Sequence, residues 1–538
     1  MEEISKDLLK TLWRLDPVNA SGMGITLFDD KLPPVDHQER EDLDRRLARY
    51  SAELKELLAG SSLSRSERID AEVAVANIDV RLAKEPEIQE WRIDPNWYLS
   101  AINSGLHVLV AREWASPESR IEAIVKRLSQ VPAFLAAAKR DLVAKDVPPE
   151  WIGIALGSVS GHKRLIEGSV IAFAKSVGKD DSTLLRLCQE SLAAVEEFGR
   201  YLNEIRPIAK GRFACGRTHF ERVLQKIHMI DMTADELRAF GEAKVAEYEA
   251  SLVKAAASIN PNKHWTELIE EYKKDHPTAE NLLDSYRNEG KLAEAFVREK
   301  DLITIPEGQT WDVIPVAEYS RATHPLGHMR VSPPFVDSFD SALCITPIDL
   351  NASPEKQEQH LQDNCYAFQR TIAFHELIPG HHLQSCLAKI GASDLRKQFR
   401  STVFIEGWGL YTEVLMAEQG YLSDPATTLI NLKNALWRAV RVVIDVGLHV
   451  GGMSLEEATR LLMEKVRMEH HMASGEALRY TTSPTYQSSY LLGKEQIVKL
   501  RSEYKEKLGD AFTLKKFHDK LCSYSSIPVA LVRREMLS

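Results

Sequence analysis

Apolar residues recur at helical spacing along most of this 538-residue chain. From His37 to Leu58, HQEREDLDRRLARYSAELKELL sets leucines and a tyrosine among charges of both signs, the pattern of an amphipathic helix. Further helical patterns run over 66–82, 118–144, 181–204, 233–258 and 264–300. Pro117 and Glu118 open one of them with a proline and an acid in the first turn, and Thr233 and Glu236 have capping-box spacing at another. The N-terminal stretch LWRLDPVNASGMGITLFDDKLPP mixes turn residues with short apolar runs and reads as a segment wrapping the surface. Near Asp301 the texture changes to Pro, Gly, β-branched and aromatic residues at short spacing. One or two short strands are expected there, around Thr310–Val316 and Ala342–Thr346. Helical pattern returns at Pro354 and continues over 354–393, 396–420, 425–450, 454–470, 488–508 and 511–523. The expectation is a mainly α, two-lobed body with one small β-sheet just before the helix that carries the chemistry. Residues 1–300 would form an N-terminal helical lobe and 301–538 a catalytic lobe, or both would form one continuous unit.

Composition adds exclusions. A hydrophobic fraction of 44% and a charged fraction of 27% are those of a globular protein. No apolar tract approaches the roughly 18 residues a membrane span needs. The segment MEEISKDLLKTLWRLDP mixes charge signs and has no basic-then-apolar signal pattern. Six cysteines (188, 215, 344, 365, 386 and 522) show no C-x-x-C spacing. Together these lead to the expectation of a reducing cytoplasm. A net charge of −10 without a basic cluster argues against a nucleic-acid partner.

The chemistry concentrates between Thr371 and Glu413, in TIAFHELIPGHHLQ and then FIEGWGLYTE. A hydrolytic zinc site needs three side-chain ligands and an open position. Its usual helical form is H-E-x-x-H, with a Glu between the histidines as general base. Here Pro379 stands four residues after His375, where the second histidine belongs, and His381 is six residues on. In an unbroken helix His381 would point roughly 120° away and about 9 Å along the axis. Pro379 and Gly380 are expected to break or bulge the helix so that His381 takes the second-ligand position. His382 is then a neighbour for substrate or oxyanion, or itself the alternative ligand. Glu406, 25 residues past His381 in an apolar run, is the candidate third ligand from a second helix. Gly407 and Gly409 would let helices approach closely. Glu413, seven residues beyond Glu406 on the same face, is placed to accept from a ligand histidine.

HELIPGHHLQ and FIEGWGLYTE resemble the paired signatures of the bacterial family known as domain of unknown function 885, H-E-x-x-P-G-H-H-x-Q and E-G-W-(A/G)-x-Y-x-E. LDPVNASGMGI and GEALRYTTSPTYQSSYLLG resemble its N- and C-terminal segments, so the likeness spans most of the chain. Ser525-Ser526 ahead of Ile527-Pro528 and the stretch from Pro484 to Tyr490 depart from its pattern. That family is similar to the helical gluzincin peptidases of the thimet oligopeptidase and carboxypeptidase Taq kind. The resemblance implies a deep groove and a zinc-dependent hydrolase. By the same resemblance Tyr490, with Tyr486 second, would donate to the oxyanion. Arg479 would suit a peptide's C-terminal carboxylate, with a structural Arg479–Glu476 pair as the plain alternative. His324, His328 and Arg330 lie between the expected strands and read as structural.

The resulting expectation is a hydrolase of short peptides or peptide-like amides, of carboxypeptidase or dipeptidase type. Zn2+ would sit on His375, His381 and Glu406, with Glu376 as general base. A metallohydrolase of a non-peptide amide or ester, and a helical binding protein without catalysis, are the alternatives.

Overall fold

The computed structural model describes residues 1–111, 114–317, 321 and 326–538. The fold is mainly α, with one three-stranded sheet. Helices start where the sequence marks them. Thr233 and Glu236 form the expected capping box ahead of Ala234–Ile259. Pro117 and Pro425 occupy the first helical positions of Pro117–Asp141 and Pro425–His449, where a missing N–H costs nothing. Prolines also cut patterns that look continuous. The expected 264–300 helix is two, Trp265–Tyr272 and Leu282–Glu299, parted at Asp275-His276-Pro277. The N-terminal stretch is not a wrapping loop. It forms helices Glu2–Leu15 and Pro17–Gly22, and Leu8, Leu9 and Leu15 bury one stripe of the first.

Two compact units emerge. One comprises Met1–Phe213 with Pro333–Asp337, and the other most of Ala214–Ser538. Residue 300 lies inside the second unit, because helix Leu282–Glu299 packs on the sheet and on the motif helix. In the first unit a continuous core runs from Leu32 through Ile102, Leu128 and Phe198 to Ala209. In the second, helices Ala234–Ile259, Thr402–Glu418, Pro425–His449 and Tyr486–Leu508 share a core built from Leu237, Val403, Leu410, Val442 and Leu491.

The sheet belongs to the second unit. Strands β1 (Thr310–Pro315), β2 (Gly327–Arg330) and β3 (Asp340–Ile345) lie in the order β1-β3-β2. β1 pairs with β3 in parallel, Val313 opposite Leu343. β2 pairs with β3 antiparallel, Met329 opposite Leu343. β2 lies in what reads as a Pro- and Gly-rich loop. Val313, Leu343 and Ile345 pack against Leu282, Tyr286 and Leu377, which sets the sheet beside the helix that ends at Glu376. Among the described residues no helix is long and apolar enough to cross a membrane.

Helix Thr402–Glu418 is apolar on nearly all sides and correspondingly buried. It crosses helix Tyr486–Leu508 at Gly407 and Gly493. A Cβ on Gly407 would fall 2.4 Å from the Gly493 Cα, and one on Gly493 would fall 1.9 Å from the Val403 carbonyl oxygen. These neighbours are backbone and cannot swing aside. Gly493→Ala is therefore expected to destabilise the chain by about 3 kcal/mol or more, the upper end of overpacking costs. The denaturant midpoint of the full chain measures it, and an unchanged midpoint would show the helices free to part.

Candidate metal centre

The run that carries His375 folds as helix Tyr366–Glu376 and stops there. Leu377 leaves helical backbone (φ −97°, ψ −99°), Ile378 and Pro379 follow, and a new helix begins at His381 and runs to Leu387. The chain thus ends one helix and starts another, where a bulge within a single helix was one expectation. Pro379 offers no N–H to the preceding turn, and its ring would clash with the His375 carbonyl in a continuing helix. The link is fixed from outside: the indole N–H of Trp408 donates to the Pro379 carbonyl at 2.8 Å.

This break sets His381 beside His375, ring centroids 4.9 Å apart and planes at 86°. Glu406 reaches the same place from helix Thr402–Glu418, its Oε2 3.6 Å from His381 Nε2. Ligand atoms of His375, His381 and Glu406 all lie within 4.8 Å of one another. Two ligand atoms about 2.1 Å from a tetrahedral zinc ion stand about 3.4 Å apart, so the spacing fits after a small contraction. Two imidazoles and one carboxylate are also a zinc-type donor set.

Partners behind the cluster fix its orientation. His375 Nδ1 is 2.9 Å from Glu413 Oε1, which leaves its Nε2 facing inward when Nδ1 carries the proton. Arg438 Nη2 stands 3.7 Å from the same Glu413 oxygen. The Tyr486 hydroxyl donates to Glu406 Oε1 at 2.5 Å, so only Oε2 of that carboxylate turns to the histidines. Tyr490 donates to the Tyr486 hydroxyl at 3.4 Å. His381 Nδ1 and Glu413 Oε2 are buried without a partner among the described residues. Gly409 supplies room. A Cβ there would fall 2.8 Å from His375 Cε1 and 3.0 Å from His381 Cε1.

Glu376 closes its helix next to His375. Burial raises the pKa of its carboxyl above the usual value, His381 opposes the rise, and Glu406 adds to it. Burial likewise raises Tyr490 to about 12 and pushes Tyr486 up further, with Glu406 adding in both cases. Both phenols are donors at neutral pH.

Other candidates lie elsewhere. His382 is turned away from the cluster, with Nδ1 2.8 Å from Ser341 Oγ and Nε2 2.6 Å from Gln309 Oε1. Both ring nitrogens are occupied, so it offers no atom to a metal or an oxyanion. Arg479 donates to Glu476 at 3.0 and 2.8 Å, so the ion pair is present, and part of its side chain stays exposed beside it. His328 and Arg330 stand on β2, and His324 lies outside the described residues. Arg438 and the Trp408 clamp were not foreseen. The signal for Arg438 is an arginine in the apolar run ALWRAVRVVIDVG, where a buried charge must have a partner.

The family described as "Bacterial protein of unknown function (DUF885)" matches residues 17–536. No curated protein matches the chain. Among solved structures, a "putative lipoprotein of unknown function" from Shewanella oneidensis superposes with a TM-score of 0.81 at 23% identity, over 99% of each chain. A "putative lipoprotein" from Colwellia psychrerythraea gives 0.82 at 18%, over 99% of this chain and 98% of that one. An M32 carboxypeptidase from Deinococcus radiodurans R1 gives 0.41 at 11%, over 100% and 96%, too loose to carry any residue across. The first two matches overturn the expected cytoplasmic location. Two proteins sharing this fold end to end each carry the description "putative lipoprotein", and scattered cysteines with a mixed-charge first segment do not fix a compartment.

Burial depresses the pKa of His382 from 6.5 to about 4. The unfolded chain binds that proton between pH 6.5 and 4 while the folded chain does not, so stability is complete above this window and is lost as pH falls through it. The loss from His382 is on the order of 3 kcal/mol. Unfolding measured across this range is expected to show a shallower acid limb for His382→Gln, and an unchanged slope would mean that the ring does not resist protonation.

Proposed function

The chain belongs to the DUF885 family of bacterial proteins, and we propose that it is a zinc-dependent hydrolase of short peptides or peptide-like amides. One observation carries this reading: the donor atoms of His375, His381 and Glu406 converge within 4.8 Å, with Glu376 adjoining His375. His375, held through Nδ1 by Glu413, and His381 would be the imidazole ligands, and Glu406 the carboxylate ligand. Zinc bound there supplies Lewis-acid activation of water and of the scissile carbonyl.

The chain's own groups supply the rest. Glu376 accepts the proton of the attacking water and delivers it to the leaving amine nitrogen. The Tyr486 hydroxyl reaches the ligand Glu406, so the oxyanion donor is assigned to Tyr486, whose O–H would turn from Glu406 Oε1 to the oxyanion, with Tyr490 donating to it from behind. Helix Thr402–Glu418 and the Trp408 clamp keep the carboxylate and the second imidazole in register.

Elemental analysis of purified, zinc-reconstituted protein is the test. About one zinc per chain is expected, lost in His375→Ala, His381→Ala and Glu406→Ala. Glu376→Gln is expected to keep the metal and to lose turnover of N-acyl dipeptides by about 10²- to 10⁴-fold, the usual worth of a general base. Wild-type protein that takes up no zinc ends this reading.

A further inference from the structure

Helix Pro425–His449 is largely apolar, yet it buries Arg438, Arg441 and Asp445. Each such charge needs an opposite partner or strong hydrogen bonds. Arg438 has Glu413. Asp445 spends its carboxylate on the start of helix Tyr486–Leu508, accepting from the Thr485 and Ser488 N–H groups at 3.1 Å and from the Ser488 hydroxyl at 2.7 Å. It makes no ion pair with Arg441, one turn away, among the described residues, and burial raises its carboxyl to about 7 against the pull of Ser488 and Thr485.

Arg441 is only 6% exposed. Its Nε donates to the Tyr480 hydroxyl at 2.9 Å and its Nη2 to Glu476 Oε2 at 3.3 Å. Its guanidinium stacks 4.2 Å over the Trp437 ring and 5.0 Å from the Tyr490 ring. No hydrogen bond from its Nη1 is made among the described residues. Arg479, itself part-exposed, donates to both oxygens of the same Glu476, and the Tyr480 hydroxyl adds a third donor at 2.6 Å. Burial would raise the Glu476 carboxyl, but Arg441 and Arg479 hold it down to about 2, so it is ionised. Tyr480 and Tyr490 are neutral, since burial raises both. Nearby His449 is neutral as well, depressed by burial to about 4. Two guanidiniums therefore share one carboxylate, leaving one positive charge in excess and the Arg441 Nη1 without a hydrogen bond to protein among the described residues.

This cluster adjoins the candidate metal ligands. Tyr490, in contact with Arg441, donates to Tyr486, and Tyr486 donates to Glu406. We propose that Arg441 and Arg479 form the subsite for a substrate carboxylate, that of a peptide's free C-terminus. The C-terminal assignment rests on the peptidase reading, whereas the anion site stands on the charge count and that Nη1. Such a subsite two tyrosines from the ligands selects for removal of the last residue and against cleavage inside a long chain.

The test is calorimetric binding to the full chain carrying Glu376→Gln, which blocks turnover. The ligands are N-acetyl-Ala-Ala, its C-terminal amide, and N-acetyl-Ala-Glu amide. The free acid is expected to bind about tenfold or more tightly than its amide, the worth of one charged hydrogen bond. Arg441→Gln and Arg479→Gln should each remove most of that difference and leave amide binding unchanged. Arg479 is on the more exposed side of the pair, so its variant stays informative if Arg441→Gln fails to fold. Equal binding of acid and amide, binding of neither at millimolar concentration, or a preference that survives both substitutions overturns the proposal. Tighter binding of the Glu amide than of the free acid overturns the C-terminal assignment. Arginine-dependent acid preference in a chain whose wild type cleaves nothing keeps the subsite and ends the hydrolase reading.

Discussion

The second unit depends on how closely other parts can approach helix Thr402–Glu418. Gly407 lets the backbone of Gly493 come against it, and Gly409 leaves space for two imidazoles. Between them Trp408 points to the Pro379 carbonyl, and Tyr411, one turn on, hydrogen-bonds His518 at 2.7 Å. The run EGWGLY thus alternates a ligand candidate, two gaps and two anchors. Contact at the first gap brings Tyr486 within reach of Glu406, and contact at the second brings His375 and His381 into range. Side-chain size at two positions sets the geometry of the whole cluster, because close-packed interiors leave no slack to absorb even a methyl group.

Charge is the second organiser. Helix Pro425–His449 places Arg438 behind Glu413, Asp445 under the start of the tyrosine helix and Arg441 against Tyr490. Replacing buried ions by apolar residues is often neutral or stabilising for a fold. These three are each tied to a group at or beside the ligand cluster, so their contribution lies in orientation: the Glu413 carboxylate toward His375, and the Tyr486 hydroxyl toward Glu406.

Much of this was legible in the sequence. Helix patterns, capping boxes and the helical class follow from period and from residues such as Thr233 and Glu236, because those signals are local. The convergence of His375, His381 and Glu406 was also readable, since a proline four residues after His375 forces an interruption and a second Glu-bearing apolar run follows. What was hidden is tertiary. Strand β2 exists only because β3 offers it an edge, and its own residues read as a loop. His382 carries the same side chain as its neighbour His381, but the start of a new helix turns it toward Ser341 and Gln309. The first helix was masked by Asp16-Pro17, which looks like a loop and is a junction between two helices. Arg441 was visible as a charge in an apolar run, but its partners come from segments with no sequence link to it.

Ending a helix between Glu376 and His381 changes the mechanics of the cluster. In a continuous helix the base and both imidazoles turn together at about 100° per residue, and none can be adjusted alone. Here the backbone at Leu377 acts as a joint, with Glu376 and His375 on one rigid rod and His381 on another. The angle between the two rods is held by the Trp408 indole N–H on the Pro379 carbonyl, by the Leu383 N–H on the Leu377 carbonyl at 3.2 Å, and by the packing around them. The base and the second imidazole therefore have separate mechanical adjustment, and residues well outside the cluster can retune one while leaving the other in place.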